Sequence, residues 1–535
     1  MKIISEILRF NTVTLKLFLC VIAYFLIGKS MGIAGLTNRY VVKDNAGAAI
    51  PYDSFANAAA DIQTAICYAR SGETVLVAAA TYDTGGVVFP GRYVTNRVCI
   101  SNTVTVRSLN NDPENTIIKG AWDPVTTNGW LAVRCVHMVA NSSLIGFTLT
   151  NGATVSSNDV DRNIISQDAC GGGVCAWGTA AATISNCIIT GNSAWGDRSQ
   201  SAKCGAGVCD GTYFNCQIIG NSTFHFGGGA ESAILSNCTI AGNSAAGGGA
   251  SMRGTLYGCL VSNNTASGGG GGLYGWSAAV PCRAFNCTII TNRSTSHGGG
   301  AGSQSTVGGT VLSNCTVSFN RSSVGIGGGA DLSVLIGCFV ASNYSVAGGG
   351  TARSSLTNCT VAYNFNGGSR FDTKVRNSLF YGNQGNALMI RNGDTVESCT
   401  FVGNDNGISI DAAGTVAVVN CISYSNTVNW TTNSVSGTGA LLAFTNSCTY
   451  PAYPGWHSSN TTNSPLCRSF GSGRGLSHSA GDYHLHGNSP CVNAGKNNFW
   501  VTNAFDLDGQ PRLLYGTIDM GVYEVRYEGT LYKIK

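Results

Sequence analysis

Two cysteine pairs with the same spacing stand close together in this 535-residue chain: Cys170-Gly-Gly-Gly-Val-Cys175 and Cys204-Gly-Ala-Gly-Val-Cys209. Four thiolates from adjacent turns could hold zinc tetrahedrally. The same sulfurs could remain thiols, or form one or two disulfides, the expected state in an exported chain. Cys467 and Cys491 are a further candidate pair. Near them, Asp506, Asp508 and Asp519 make an Asp-x-Asp-Gly turn with a downstream acid. Oxygen ligands so spaced can hold calcium, whereas their ordinary role is to accept hydrogen bonds from turn amides. Apart from these metals no cofactor is expected.

Trp177, Trp195, Tyr274 and Trp276 fall in longer loops beside glycine runs and could stack on sugar rings. They could equally cover the flank of the fold. Catalysis on polysaccharides needs ionisable groups in one place: a base near the sugar with a cation for the carboxylate, or two carboxylates within about 5–9.5 Å. The acids of the central region are sparse: Asp197, Asp210, Glu231, Asp331, Asp372, Asp394, Glu397, Asp405 and Asp411. Glu231 and Asp331 share one register but lie four turns apart, about 20 Å. Arg253 and Arg353 share another, with the same separation. No catalytic residue is therefore assigned.

What positions all these groups is a repeat. Cysteine recurs at Cys187, Cys216, Cys238, Cys259, Cys287, Cys315, Cys338, Cys359, Cys399 and Cys421, with Ser378 filling one more slot. Five residues after each stands an asparagine, from Asn192 to Asn426. An aliphatic residue usually stands three before the cysteine, and Ile, Val or Phe two after it. Intervals of about 20 to 29 residues mean one solenoid turn per repeat, each burying its apolar side against its neighbours. Side chains alternate along a strand, so the residue at −3 and the cysteine can both face inward only if the chain bends between them. The −1 asparagines Asn186, Asn237, Asn314 and Asn358 suit that bend. The expected fold is all-β: a parallel β-helix, its eleven regular turns spanning about 53 Å. The cysteines are expected to be stacked buried thiols and the asparagines a hydrogen-bonded ladder.

Around this stack, residues 36–165 read as an N-terminal cap with irregular first coils, 166–435 as the regular repeats and 436–535 as a C-terminal region. Within the cap, the apolar spacing of residues 53–71 predicts a short helix, with Asp53 able to cap it and Gly72 to stop it. Lys2, Arg9 and Lys16, the apolar run Leu17–Ile27 and small residues at Gly32, Ala34 and Gly35 read as a signal peptide over residues 1–35. That run is shorter than the roughly 20 residues of a membrane span, and the mature chain shows no transmembrane segment. Charged residues are only 11% of the chain and the formal charge is +4, against about 25% charged residues in typical domains. Without a dense Lys/Arg patch, nucleic acid is excluded as an expected partner.

The run ETVLVAAATY after the predicted helix, and the repeats NCTIAGNSAAGGGA and NCTVSFNRSSVGIGGGA, resemble bacterial right-handed parallel β-helix proteins of the pectin-lyase-like superfamily. The spaced asparagines and glycine runs are also similar to the repeats of chlamydial polymorphic outer membrane proteins. The region after the last repeat, however, lacks the pattern of their barrel. The run SPCVNAGKNNFWVTNAFDLDGQPRLLYGTIDMGVYE resembles the choice-of-anchor Q type domain of secreted β-helix proteins, with Lys496 where an acid is usual and Val522 in place of Ala. The Asp pairs, Asn-Thr-Asp and His-Gly motifs of polygalacturonases are missing from the stack; His486-Gly487 lies in the tail. The resemblance implies a right-handed fold and export. The function expected is a cell-surface or extracellular protein, non-enzymatic, for adhesion or contact with a polysaccharide or envelope glycan. A polysaccharide lyase is the rival.

Overall fold

One turn can be followed from Ala230 to Met252. Ala230–Glu231 is a two-residue strand, Ser232 turns the chain at φ 53°, and Ile234–Ser236 forms the next strand. Asn237 turns at φ 54°, Thr239–Ala241 follows, and Gly242 turns at φ 63° before the short strand Ser244–Ala245. A glycine run, Gly247 to Gly249, then leads into Ser251–Met252, which lies beside Ala230–Glu231 in register. Each corner is thus one residue in the left-handed region, which Gly and Asn tolerate best. The bend expected at the −1 asparagines is found there: Asn186, Asn314 and Asn358 have φ of 51°, 53° and 55°.

This computed structural model describes residues 37–155, 167–195, 205–304, 307–411, 414–432, 440–453 and 456–526. The proposed signal segment, Cys204 and Asp197 lie outside them. Equivalent strands of successive turns form three long sheets: sheet A with 16 strands, sheet B with 15 and sheet C with 15. A short sheet D of 6 strands lies at the fourth side. In the turn above, Ile234–Ser236 belongs to A, Thr239–Ala241 to B, Ala230–Glu231 to C and Ser244–Ala245 to D. Pairing between turns is parallel, and one antiparallel pair, Val87–Val88 with Thr95–Asn96, edges sheet C. At about 4.8 Å per strand, sheet A is roughly 70 Å long.

The interior follows from strand periodicity. Leu235 on sheet A, Ile240 on sheet B and Ala230 on sheet C are fully buried, while their neighbours alternate outward. Burying one Leu or Ile is worth about 1.5–3 kcal/mol, but one turn buries it only against the turns above and below. The corner polar groups are handled in the same direction. Asn243 Nδ2 donates to Ile218 O at 2.8 Å and to Asn264 Oδ1 at 2.9 Å, and the Asn243 amide N–H donates to that same oxygen at 3.0 Å. The pattern repeats without a break from Asn192 to Asn426 and ends on Asn429.

The cysteine column behaves as expected. Cys315 Sγ donates to Ser313 O at 3.3 Å and accepts the Cys287 amide at 3.5 Å. These sulfurs, from Cys187 to Cys421, are buried thiols, and burial pushes Cys216 upward. Ser378 takes the same role, accepting the Cys359 amide at 3.1 Å. Ser447 repeats it for Cys421 at 3.0 Å.

The ends differ from the sequence reading. The helix covers only Ile62–Tyr68, and Asp61 rather than Asp53 caps it through Thr64 N at 2.8 Å. Residues 53–60 instead form bends and a turn, held by Ser54–Asn57 contacts, and Ala59 bridges to Val41 at the edge of the first strand, where its carbonyl receives the Val42 amide at 3.0 Å. The stack also runs one turn past residue 435, through Ala440–Thr445 on sheet A and Cys448–Thr449 on sheet B. The following segment folds back along the A–B corner. Asn446 Nδ2 donates to Ala494 O, Asn420 Nδ2 to Lys496 O and Asn377 Nδ2 to Phe505 O, all at 2.9–3.0 Å. No helix among the described residues is long and apolar enough to cross a membrane.

Asn320 donates to Ile289 O and Asn343 Oδ1 and accepts from Asn292. Asn320→Ala would strand several buried polar groups, so thermal unfolding should report a loss of about 3 kcal/mol or more. Cys315→Ser keeps the thiol's two hydrogen bonds and should stay within about 1 kcal/mol of the parent.

Candidate functional site

The residues able to do chemistry in the stack converge on the outer face of sheet C. Each of its two-residue strands follows a glycine run; the first residue enters the core and the second points outward. The outward position passes through Cys175, Cys209, Glu231, Met252 and Tyr274 on consecutive turns. Later turns place Asp331, Ala352, Arg370 and Met389 there. The glycine run folds over this column. A Cβ on Gly228 would lie 2.5 Å from both Gly249 O and Ser244 O, so only glycine allows that approach. Beneath the loops, Glu231 and Asp331 are 0% exposed although they face away from the core.

A buried carboxylate needs a partner, and each finds it one turn on. Arg253 Nε lies 2.5 Å from Glu231 Oε1. Arg353 grips Asp331 with two nitrogens, Nε to Oδ1 at 3.0 Å and Nη2 to Oδ2 at 2.5 Å. Both arginines sit at left-handed corners, φ 53° and 48°. Burial pushes the Asp331 carboxyl above the usual range, with Arg353 and then His297 pulling it back. The sequence carried this signal unnoticed: the arginine stands 22 residues after its acid in both pairs, 253 − 231 and 353 − 331.

Other acids of the stack are likewise engaged. Glu397 pairs with Arg376. Asp372 is pushed up to about 6 by burial, although hydrogen bonds from Ser369, the Ser354 amide and Thr351 oppose the shift. Asp210 accepts the Gly178 amide at 2.8 Å and Asp405 the Gly385 amide at 2.8 Å. The arrangement is two matched ion pairs four turns apart, with Glu231 Oε1 also accepting from Ser232 Oγ at 3.3 Å.

The same face opens a cavity of about 190 Å³ lined by Gly348, Asn366, Arg370, Asn386 and Met389. The Arg370 guanidinium lies 4.6 Å from the Phe371 ring centroid, and Arg391 lies 5.2 Å from that same ring. Asp411 is 3.8 Å from Arg370, longer than a hydrogen bond.

The four aromatic candidates fall in three places. Phe226 joins Tyr274 and Trp276, with centroids 6.3 and 6.1 Å away. Trp195 packs on Phe224 at 4.9 Å, and Phe224 is 69% exposed. Trp177 lies against a cluster of Cys170, Cys175 and Cys209. A further stripe was missed by sequence reasoning: Arg321 stacks on Tyr344 at 4.7 Å, and Tyr344 meets Phe365 at 6.2 Å. All three immediately follow a ladder asparagine, the column that continues Thr265 and Arg293 on sheet D.

In the tail, Cys467 and Cys491 share a buried cluster with Cys448, Leu485 and Met520; Cys448 had not been singled out. Asp506 Oδ1 accepts the amides of Asp508 and Gln510, and its Oδ2 accepts that of Glu524. Asp519 accepts the amides of Asn493 and Val525, and Asp508 meets His484 Nε2 at 2.6 Å. These carboxylates tie separate segments of the tail together. Among the described residues no group of three His, Cys, Asp or Glu side chains is arranged to hold a metal ion.

Arg353→Ala would leave Asp331 buried without its guanidinium, costing about 3 kcal/mol at neutral pH. Because Asp331 holds its proton more tightly folded than unfolded, that cost should shrink as the pH is lowered towards about 4. Denaturant titrations from neutral to acidic pH measure this. The double variant Asp331→Asn/Arg353→Gln should lose less than Arg353→Ala alone.

Residues 271–428 match the family model described as a right handed beta helix region. Among solved structures, the chain is similar to pectate lyase Pel9A at 11% identity and TM-score 0.25, covering 92% of this chain and 98% of that one. The Azotobacter vinelandii mannuronan C-5 epimerase AlgE4 A-module gives 13% identity and TM-score 0.34, with coverage of 76% and 100%. XylC in complex with xylose gives 10% identity and TM-score 0.31, with coverage of 77% and 83%. Comparison with curated proteins finds no match. The three-sheet stack, together with the family match over residues 271–428, makes this chain a right-handed parallel β-helix.

Proposed function

We propose that this is an exported β-helix protein that contacts glycans at the cell surface or outside the cell, without catalysing their breakdown. One observation carries this reading. Along one side of the rod the outward residues are hydroxyls, arginines and rings, whereas the buried acids Glu231 and Asp331 are already tied to arginines and Asp372 to the hydroxyls of Thr351 and Ser369 and the Ser354 amide. Polar groups that fix orientation beside flat apolar surface are what a carbohydrate site requires, and tyrosine and tryptophan provide both in one side chain.

Two stretches fit that role. The stripe Arg321–Tyr344–Phe365 presents one side chain per turn, matching a linear chain of sugars in its regularity. The nearby cavity at Asn366, Arg370 and Asn386 offers amides and a guanidinium to hydroxyl or acidic groups. Export is supported by the basic and apolar residues at the start of the sequence, and attachment by the likeness of residues 489–524 to the choice-of-anchor Q type.

Affinity electrophoresis against a panel of pectins, alginates and glycosaminoglycans tests the reading. At least one polymer should retard the protein, and Tyr344→Ala/Phe365→Ala should weaken that binding about tenfold, the equivalent of ~1.4 kcal/mol. The same panel followed by ultraviolet absorbance for unsaturated product addresses the lyase alternative. Product formation abolished by Asp331→Asn or Arg253→Lys would overturn the non-catalytic reading.

A further inference from the structure

The outward column of sheet C runs through Cys99, His137, Cys175 and Cys209 on successive turns. Cys170 reaches the same spot from the loop that precedes Cys175. Cys170, Cys175 and Cys209 are 0% exposed, and His137 is buried beside them. Gly171 makes the return possible: it turns at φ +66°, and a Cβ there would lie 2.3 Å from Val174 O. The Cys170 and Cys175 sulfurs share one acceptor, Gln167 O, 4.0 Å from each, and both pack in one buried cluster with Cys209.

The surroundings distinguish the sulfurs. Arg134, fully buried, is fixed by Gly171 O at 2.9 Å and Cys170 O at 2.8 Å. The hydrogen bond from Cys170, with the Arg134 charge and His137 adding to it against burial, holds the Cys175 thiol well below its usual range. Burial, foremost, pushes Cys170 up. Cys175 and Cys209 are register partners on parallel strands, so their Cβ vectors run side by side, a poor geometry for a bond.

We propose that Cys170 and Cys175 are a disulfide-forming pair, closed within one turn by a small-molecule disulfide of the glutathione class while the chain is folding. Cys175 thiolate attacks one sulfur of the oxidant, breaking its S–S bond and releasing one thiolate. Cys170, losing its proton to that thiolate, then attacks the Cys175 sulfur of the mixed disulfide and expels the second. Two thiols of the chain lose two electrons and two protons, and one oxidised glutathione becomes two reduced molecules. Closure occurs before the following turn covers the sulfurs, since the folded site has no exposed surface. This inference stands independently of the glycan reading.

Mass spectrometry of the full chain tests it without any variant. The protein is refolded in a buffer of reduced and oxidised glutathione, then denatured, alkylated and digested with trypsin. Cleavage after Arg162 and Arg198 releases one peptide with Cys170, Cys175 and Cys187, while Cys209 follows Lys203 and leaves on another. The first peptide should carry one alkyl group, on Cys187, and lack two hydrogens relative to the dithiol. Alkylation of all three cysteines would overturn the proposal, as would a cross-link to the Cys209 peptide or zinc bound one-to-one and lost to a chelator. Cys170→Ser should leave Cys175 fully alkylated.

Discussion

Each turn of this protein hands its unsatisfied polar groups to the next. The asparagine at the B–D corner is the clearest case: its side chain bonds the backbone carbonyl of the preceding turn and the amide oxygen of the following one. An unpaired buried donor or acceptor costs roughly 1–3 kcal/mol, so a slip between turns would disrupt several groups at once. Register between turns is therefore the constraint from which the rest of the structure follows. The cysteine column obeys it too, and serine at Ser378 and Ser447 is accepted because a hydroxyl can fill the same two hydrogen-bonding roles.

Register converts sequence positions into columns. Once every turn is aligned, the second residue of each sheet C strand projects into one line beneath the glycine loops. That line collects thiols, carboxylates, a tyrosine and an arginine. Whether such a column does chemistry depends on what the neighbouring turn supplies. Glu231 and Asp331 receive an arginine from the next turn and are neutralised in place. Cys175 receives a sulfur from its own loop and an imidazole from the preceding turn. The sheet D column, by contrast, leaves Phe365 exposed and Tyr344 half-buried beside the Arg321 guanidinium.

Much of this was legible before any coordinates. The cysteine and asparagine spacing implied the turn, the corner at the −1 asparagine and both ladders, because these depend on residues a fixed distance apart. The helix boundary was less legible: Ala59 and Ala60 suit a helix locally, but the edge strand at Val41 recruits Ala59 through a backbone bridge. The last turn, Ala440 to Thr449, was hidden because Ser447 replaces the cysteine and Ala452 stands where the asparagine would be; Asn460, from outside the repeat, accepts the Ser447 amide and donates to Phe444 O, the contacts a next cysteine would make. The ion pairs were hidden for another reason. Acids were compared with acids and arginines with arginines, whereas the structure joins an acid to the arginine 22 residues later. Phe226, Tyr344, Phe365 and Cys448 carry no motif of their own; only the stacked columns bring them beside their partners.

The central claim, that turns are locked in register by buried side-chain ladders, is most directly tested by native-state hydrogen exchange followed along the chain by mass spectrometry. The account predicts slow exchange at a near-uniform level for peptides spanning 187 to 426, with faster exchange only in the exposed loops and towards the ends, since the ladder couples each turn to its neighbours. Rapid exchange in the strands around Asn264 to Asn343, with opening confined to single turns, would contradict it.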